Sequence, residues 1–235
     1  AAIKPDRVFA LHNLPGFPKK TLVLRDGPFA AASRGMIIQL KGESSHAAQP
    51  HLGKSPGPML PGLIDGLLAL PGKKPPISDY SLVTIIHVKL GEQAFGTNPG
   101  KGVVMATLRS FLNEDMNILV TEAEKLVHTL AKKHGIEAKI SYTEVFPATM
   151  NTPGANEWIR KSAKSLQLDI LSPDQAFSWS EDFGHFTSAF PGALFGMGAG
   201  TRHPSLHNHD YDFPDEIIPE AMALFYDICL QTAEA

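Results

Sequence analysis

The feature of this sequence that most constrains the fold is the order of strand and helix patterns between residues 34 and 147. Short apolar or β-branched runs predict four strands, at residues 36–40, 80–90, 103–112 and 137–145. Helical apolar periodicity predicts two helices, one over residues 59–70 and one that follows Asn113, its predicted N-cap, and stops at Gly135. The order of these elements is therefore β-α-β-β-α-β.

This order is typical of the ferredoxin-like split motif, an antiparallel sheet with both helices on one face. The segments on either side predict a second domain, with a strand within residues 8–13, a helix over residues 153–168, a strand over residues 192–197 and a helix over residues 216–232. We therefore predict an α/β domain formed by residues 1–33 and 148–235, into which residues 34–147 are inserted.

Composition excludes several classes of protein. The 235 residues carry a net charge of −3, which gives no reason to expect nucleic acid or an anionic membrane as a partner. No apolar run is long enough to span a bilayer. The single cysteine, Cys229, excludes an internal disulfide framework, and its apolar helical surroundings predict a buried structural thiol.

Two histidines at opposite ends of the chain are the first candidates for a metal site. His12 and His207 each follow a leucine and precede an asparagine, and each lies where a strand pattern runs out into a loop. Neutral imidazole is a common metal ligand. Two alternatives remain open, since His12 could be a hydrogen-bonded core residue and the His-rich residues 201–213 could be a solvated polar loop.

Four further positions could carry chemistry. Glu181 could orient a metal-ligating histidine, but Ser180 before it is a good N-cap, and the sequence alone favours a helix start. His46 and Asn98 lie in loop patterns and could be ordinary surface and turn residues. Arg109 interrupts an apolar strand, which predicts that it faces a ligand or a partner.

Taken together, these segments resemble the M20 metallopeptidase family, in particular its amidohydrolase branch. The resemblance lies in residues 11–16 (LHNLPG), 41–48 (KGESSHAA), 180–183 (SEDF) and 205–213 (SLHNHDYDF), in that order. It implies a zinc-peptidase-like catalytic domain with a mainly parallel sheet and an inserted ferredoxin-like lid that also forms the dimer.

The resemblance also implies a role for each candidate residue. His12 and His207 would each ligate one of two divalent ions (zinc, manganese or cobalt), and His46 would polarise the scissile carbonyl in the site of a partner subunit. The substrate contacts would come from Asn98, Arg109, Glu181 and, in the glycine-rich residues 196–200, Gly198. A homodimer formed through residues 34–147 is expected, with the cytoplasm as the default compartment.

The expected activity is hydrolysis of the amide bond of N-acyl amino acids or small peptides by a metal-activated water. The family's remaining metal ligands and its general base precede the LHN strand, so we expect a C-terminal portion that is inert when isolated. Two alternatives are a non-catalytic dimerisation or ligand-binding module, and a dipeptidase or aminopeptidase of the same family.

Overall fold

The computed structural model describes residues 3–72 and 77–233, which fall into two units. The first, termed the split unit, comprises residues 1–31 and 147–235, and the second, termed the inserted unit, comprises residues 32–146. The boundaries predicted from the sequence lie within two residues of these.

Twelve strands and five α-helices are present in the described residues. The strands are β1 (Val8–Pro15), β2 (Leu22–Val23), β3 (Gly27–Ala30), β4 (Ala32–Lys41), β5 (Ser45–His46), β6 (Ser81–Leu90), β7 (Thr97–Asn98), β8 (Lys101–Ser110), β9 (Glu137–Phe146), β10 (Thr149–Asn151), β11 (Ile170–Leu171) and β12 (Gly192–Gly200). The helices are α1 (Leu60–Ala69), α2 (Asn113–His134), α3 (Pro153–Ser165), α4 (Gly184–Thr187) and α5 (Ile218–Ala233).

A four-stranded sheet in the order β1-β12-β2-β11 forms the centre of the split unit. β1 runs parallel to β12 and β2 runs parallel to β11, but β12 and β2 are antiparallel. The mainly parallel sheet that we expected is thus mixed, because the short turn between β1 and β2 returns the chain in the opposite direction. Helices α3 and α5 pack on this sheet and with it bury an apolar core around Phe195, Ile159 and Leu224. The fold is therefore a mixed α/β fold.

The inserted unit holds a second four-stranded sheet, in the order β6-β8-β4-β9, with every neighbouring pair antiparallel. Burial alternates along β8, where Val104, Ala106 and Leu108 are buried and the residues between them are half-buried. The buried side chains belong to the core that α1 and α2 cover. The opposite face, termed the open face, carries the intervening residues from Lys101 to Arg109.

The helix ends differ from the predicted ones by a few residues. Helix α2 begins at Asn113 itself, with Leu112 in the N-cap position, and it ends as predicted at Gly135, whose φ of +65° is left-handed. Helix α3 stops at Ser165 rather than residue 168, because Gln167 takes a left-handed φ of +57°.

Cys229 does not lie where the sequence predicted. It is exposed on α5, and the prediction of a buried thiol is therefore wrong. The apolar residues around it in the sequence include Tyr226 and Leu230, which are exposed as well, so the apolar stretch does not mark the buried face of this helix.

Candidate functional site

His12 lies near the carboxyl end of β1, opposite Gly196 of the parallel strand β12. Its Nδ1 atom is 2.7 Å from the carbonyl oxygen of Asn13, so Nδ1 carries the proton and donates it to that oxygen. The other ring nitrogen, Nε2, lies 3.5 Å from Oε1 of Glu181. In the neutral ring Nε2 keeps a lone pair, so two electron-rich atoms face each other, whereas in the protonated ring the contact is an ion pair.

This arrangement fits a cation between the two atoms. Two ligands of a tetrahedral ion, each about 2.0–2.1 Å from it, are separated by roughly 3.4 Å. The His12–Glu181 separation therefore matches a pair of donors to one ion. Among the described residues, however, no group of three or more histidine, cysteine or acidic side chains could hold a metal. The pair by itself is therefore not a complete metal centre.

Glu181 does not cap a helix. The helix that follows, α4, begins at Gly184 with Phe183 in the N-cap position, and Glu181 contributes only its carbonyl oxygen, which accepts the amide proton of Gly184. The helix-start interpretation was wrong because the helix begins three residues later, and the carboxylate is directed at His12 instead.

The loop of residues 201–214, which carries His207, is attached to the end of β1. The side-chain amide of Asn13 donates a hydrogen bond to the hydroxyl of Tyr211. The ring of Tyr211 in turn packs edge-on against His203, with centroids 5.3 Å apart, and His203 Nε2 lies 2.6 Å from the carbonyl oxygen of Asp212. The structure therefore joins the two histidine-bearing segments through Asn13, the neighbour of His12.

His207 itself projects from a tight turn. It takes a left-handed φ of +68° and is exposed, and no hydrogen bond or ion pair reaches its side chain from the rest of the described chain. Its role as a metal ligand stays a prediction. Tyr211 was not singled out from the sequence, although its position four residues after His207 in a polar loop would have marked it as a possible anchor.

An aromatic cluster borders His12 on one side. The rings of Phe177 and Trp179 stack with centroids 4.9 Å apart, and Trp179 lies 5.4 Å from the His12 ring. Phe29 packs edge-on against both rings and is fully buried. Phe195, by contrast, is fully buried in the core of the split unit.

Within the inserted unit, His46 and Asn98 are brought together by the pairing of β5 with β7. Ser45 lies opposite Asn98, whose Nδ2 donates to Ser45 Oγ at 3.1 Å, and His46 lies opposite Thr97. Nδ1 of His46 accepts the amide proton of Ala48 at 3.0 Å, so the proton of the neutral ring resides on Nε2. His46 is exposed and therefore presents an N–H donor to the solvent.

Arg109 lies far from the paired strands β5 and β7. It is half-buried on the open face of β8, opposite Ser33 of β4 and Leu82 of β6. Asn98 precedes Lys101, the first residue of β8, and Arg109 follows Lys101 by eight residues, which corresponds to about 26 Å of strand. The inserted unit therefore holds the predicted substrate residues at opposite ends of its sheet.

The presence of glycine at position 198 is explained by the packing of the backbone around it. A Cβ atom on this residue would lie 1.9 Å from the carbonyl oxygen of Pro18 and 2.9 Å from that of Phe17. Its amide donates to the carbonyl oxygen of Thr21. Close approach of two backbone segments thus requires glycine here, and contact with substrate stays a prediction.

None of the helices in residues 3–72 and 77–233 is long and apolar enough to cross a membrane. This finding concerns the described helices alone.

Comparison with known proteins places these features in a family. The model of peptidase family M20/M25/M40 matches residues 1–231. The N-acetyldiaminopimelate deacetylase of Bacillus velezensis is 27% identical over 213 residues, covering 90% of this chain and 56% of that protein. An uncharacterized hydrolase of Staphylococcus haemolyticus is 24% identical and is covered to 57%.

Solved structures show the same fold. A proposed aminohydrolase from methicillin-resistant Staphylococcus aureus superposes with a TM-score of 0.86 at 17% identity, covering 96% of this chain and 59% of that one. A dinuclear metal binding peptidase of the M20 family from Bacillus subtilis gives a TM-score of 0.78 at 19% identity, with coverages of 97% and 58%. The chain spans a little more than half the length of the relatives that it matches. From the match over residues 1–231, the chain belongs to peptidase family M20/M25/M40.

Proposed function

We propose that this chain is part of a metal-dependent amidohydrolase that cleaves the amide bond of N-acyl amino acids or small peptides. The observation that carries the proposal is the position of His12 Nε2, which is a lone-pair donor in the neutral ring and faces the Glu181 carboxylate at the end of β1 beside the loop that bears His207. Family membership supports the hydrolase class, and the relatives named as deacetylases support an acylated amino acid over a free peptide.

Three side chains of the split unit would contribute to metal binding. His12 and His207 would be donors to one ion each, and Glu181 would either share the ion at His12 or hold that imidazole in place. When bound, zinc, manganese or cobalt ions supply a coordinated water of lowered pKa and polarise the substrate carbonyl. Because the described residues hold no complete ligand set, the further ligands would have to come from outside them.

His46 would stabilise the negative charge that develops on the carbonyl oxygen during hydrolysis. The hydrogen bond from the Ala48 amide to Nδ1 fixes the ring as an Nε2–H donor, which is the form this role requires. Removal of one such donor typically lowers the rate by about 100- to 1,000-fold. Asn98, whose side-chain amide donates to Ser45 Oγ, would hold strand β5, which carries His46, against β7.

Two copies of the chain would build each active site. One small substrate cannot contact both His46 and Arg109 of one inserted unit, because about 26 Å of strand separates the two ends of its sheet. We therefore assign the paired strands β5 and β7, with His46 and Asn98, to one subunit of a homodimer. Arg109, whose guanidinium suits a substrate carboxylate, would come from the other subunit.

Strand β6 is the proposed dimer edge within residues 34–147. It is an outer strand of its sheet, ten residues long, and Ile86 on it is 61% exposed at a bulge in the pairing with β8. An exposed apolar edge strand presents unpaired backbone groups that a second copy can satisfy.

The aromatic cluster would contact the acyl side of the substrate. Phe177 and Trp179 are only half-buried and lie next to His12, so their free faces offer an apolar wall close to the reacting bond.

The test compares His207→Ala with His209→Ala in the natural polypeptide that carries this chain. Both histidines are exposed in the same loop, but only His207 is a predicted ligand. With zinc, manganese or cobalt added, we expect N-acetyl amino acids to be hydrolysed by the parent and by His209→Ala, and not by His207→Ala. The 235-residue chain alone is expected to be inert.

Two other outcomes correspond to the alternatives. Faster cleavage of dipeptides with a free amine than of N-acetyl amino acids would favour a dipeptidase or aminopeptidase. No chelator-sensitive turnover of either class, with His207→Ala affecting stability alone, would favour a non-catalytic dimerisation or ligand-binding module.

A further inference from the structure

Four lysines lie side by side at one end of the sheet of the inserted unit, one on each long strand. On the open face, Lys41 of β4 lies opposite Lys101 of β8. Lys139 of β9 lies opposite Gln39, two positions before Lys41 on β4. Lys89 of β6 lies opposite the β8 residue two positions after Lys101. This set, termed the lysine row, concentrates positive charge on a chain whose net charge is −3.

The charge of the lysine row is only partly balanced. Lys41 forms an ion pair with Glu137 at 3.4 Å, and Lys89 forms one with Glu92 at 2.8 Å. Lys101 and Lys139 have no ion pair with any described residue. Like charges directly opposite each other destabilise a sheet, so the pairing of Lys41 with Lys101 carries a cost that a bound anion would relieve.

The lysine row borders a surface depression of about 360 Å³, whose lining includes Gln39, Val103, Lys41, Lys101 and Lys139. Adjoining depressions share Lys101 with it and extend in one direction to Lys89 and in another to Thr97, the cross-strand partner of His46. Lys101 therefore lines all three depressions, one of which reaches Thr97 on the strand paired with His46.

We propose that the lysine row is a binding site for a small molecule that carries two or more anionic groups, either carboxylate or phosphate. Neighbouring strands are about 4.8 Å apart, so the flexible ammonium groups can reach anionic groups separated by roughly 5–10 Å. The glutamates on the rim and the acidic net charge select against a long polyanion. This site requires neither a metal ion nor turnover, so it stands independently of the proposed hydrolase function.

Isothermal titration calorimetry of the purified protein tests the site, with citrate as the carboxylate probe and pyrophosphate as the phosphate probe. The buffer contains about 150 mM salt, which screens nonspecific attraction beyond roughly 8 Å. We expect saturable binding that is weakened at least about tenfold in Lys101→Gln/Lys139→Gln and kept in Lys101→Arg/Lys139→Arg. Lys132→Gln/Lys133→Gln, which removes two lysines from the last turn of α2, is the matched control and should bind like the parent.

The two probes identify the anionic group, since tighter binding of citrate indicates a polycarboxylate and tighter binding of pyrophosphate a phosphorylated molecule. The proposal is overturned if neither probe saturates, if Lys101→Gln/Lys139→Gln binds like the parent, or if the α2 control loses as much affinity. Circular dichroism melting of each variant verifies that the exposed substitutions leave the fold intact.

Discussion

Individual side chains at the candidate site have their chemical state set by backbone atoms. In His12 a carbonyl oxygen accepts from Nδ1, and in His46 a backbone amide donates to Nδ1. In the neutral rings the same side-chain type is thereby suited to opposite tasks, because His12 presents a lone pair at Nε2 and His46 presents a proton there. In the proposed site, one hydrogen bond each would thus distinguish the ligand His12 from the donor His46.

Gly198 offers a test of how closely the backbone is packed beside the site. We expect Gly198→Ala to lower the free energy of unfolding by about 2–3 kcal/mol, because its Cβ would overlap the carbonyl oxygen of Pro18 and the backbone must shift. Gly154→Ala is the control, since a Cβ there meets no atom within 4 Å and alanine favours the helix. Equilibrium urea unfolding measures both, and equal stability of the two variants would contradict the packing argument.

Tyr142 provides a pH-dependent stability term. Burial raises the pKa of this phenol, and its hydrogen bond to Glu124 raises the pKa further. In the unfolded chain the phenol ionises near pH 10, whereas the folded protein retains the proton to higher pH. The contribution is therefore fully present below about pH 10 and is lost as the pH rises above that value.

Unfolding free energies of the parent and Tyr142→Phe, measured between about pH 8 and 11, should reveal this term. The difference in unfolding free energy between the two proteins should stay constant up to about pH 10. Above that pH, the parent should lose stability relative to Tyr142→Phe. Because Tyr142 is only half-buried, solvent screening keeps the change below about 1 kcal/mol per pH unit. A difference that does not vary with pH would refute the assignment.

At the level of elements, regular patterns were predictable and irregular ones were not. The apolar strand that contains Arg109 and the helical stripe of α2 both correspond to observed elements, because a long apolar run or a helical period is visible in the local sequence. The two-residue strands β2, β5, β7 and β11 were missed, since their pairing depends on distant segments and leaves no local period.

The candidate site follows the same distinction. His12 was recognisable as the end of an apolar strand, but the direction of the Glu181 carboxylate depended on where α4 begins, which is fixed by tertiary contacts. The separation of Arg109 from His46 was likewise invisible in the sequence, because it requires knowing that Asn98 and Arg109 flank the full length of one strand.

The edge strand β6 leads to a prediction about assembly. We expect Ile86→Lys to convert a dimer into a monomer, because a charged side chain on an edge strand disfavours pairing with a second copy. Leu52→Lys is the control, since Leu52 is similarly exposed but lies in a short 3₁₀ turn outside the sheet. Size-exclusion chromatography with light scattering measures the mass of each variant. If Ile86→Lys remains a dimer while Leu52→Lys becomes a monomer, the β6 edge is not the dimer interface.

At the scale of the whole molecule, the geometry of the inserted unit makes the proposed active site a property of the dimer. His46→Ala and Arg109→Ala each remove a residue from the site, and each homodimer should lose nearly all hydrolysis. In a mixed dimer, one site combines the intact His46 of one subunit with the intact Arg109 of the other. Since random mixing makes half of the dimers mixed, activity should return to about one quarter of the parent value.

The matched control mixes His46→Ala with Asn98→Ala. Both residues lie on the paired strands β5 and β7, where Ser45 is directly opposite Asn98. Any site therefore receives both residues from the same subunit. No mixed dimer then contains an intact site, and activity should not return. The measurement is the initial rate of N-acetyl amino acid hydrolysis after co-expression of the two variants in the natural polypeptide. No recovery with Arg109→Ala would mean that one subunit supplies His46 and the arginine together, against the separation of about 26 Å along β8. Recovery in the control would mean that His46 and Asn98 reach a site from different subunits, against their placement on the paired strands β5 and β7.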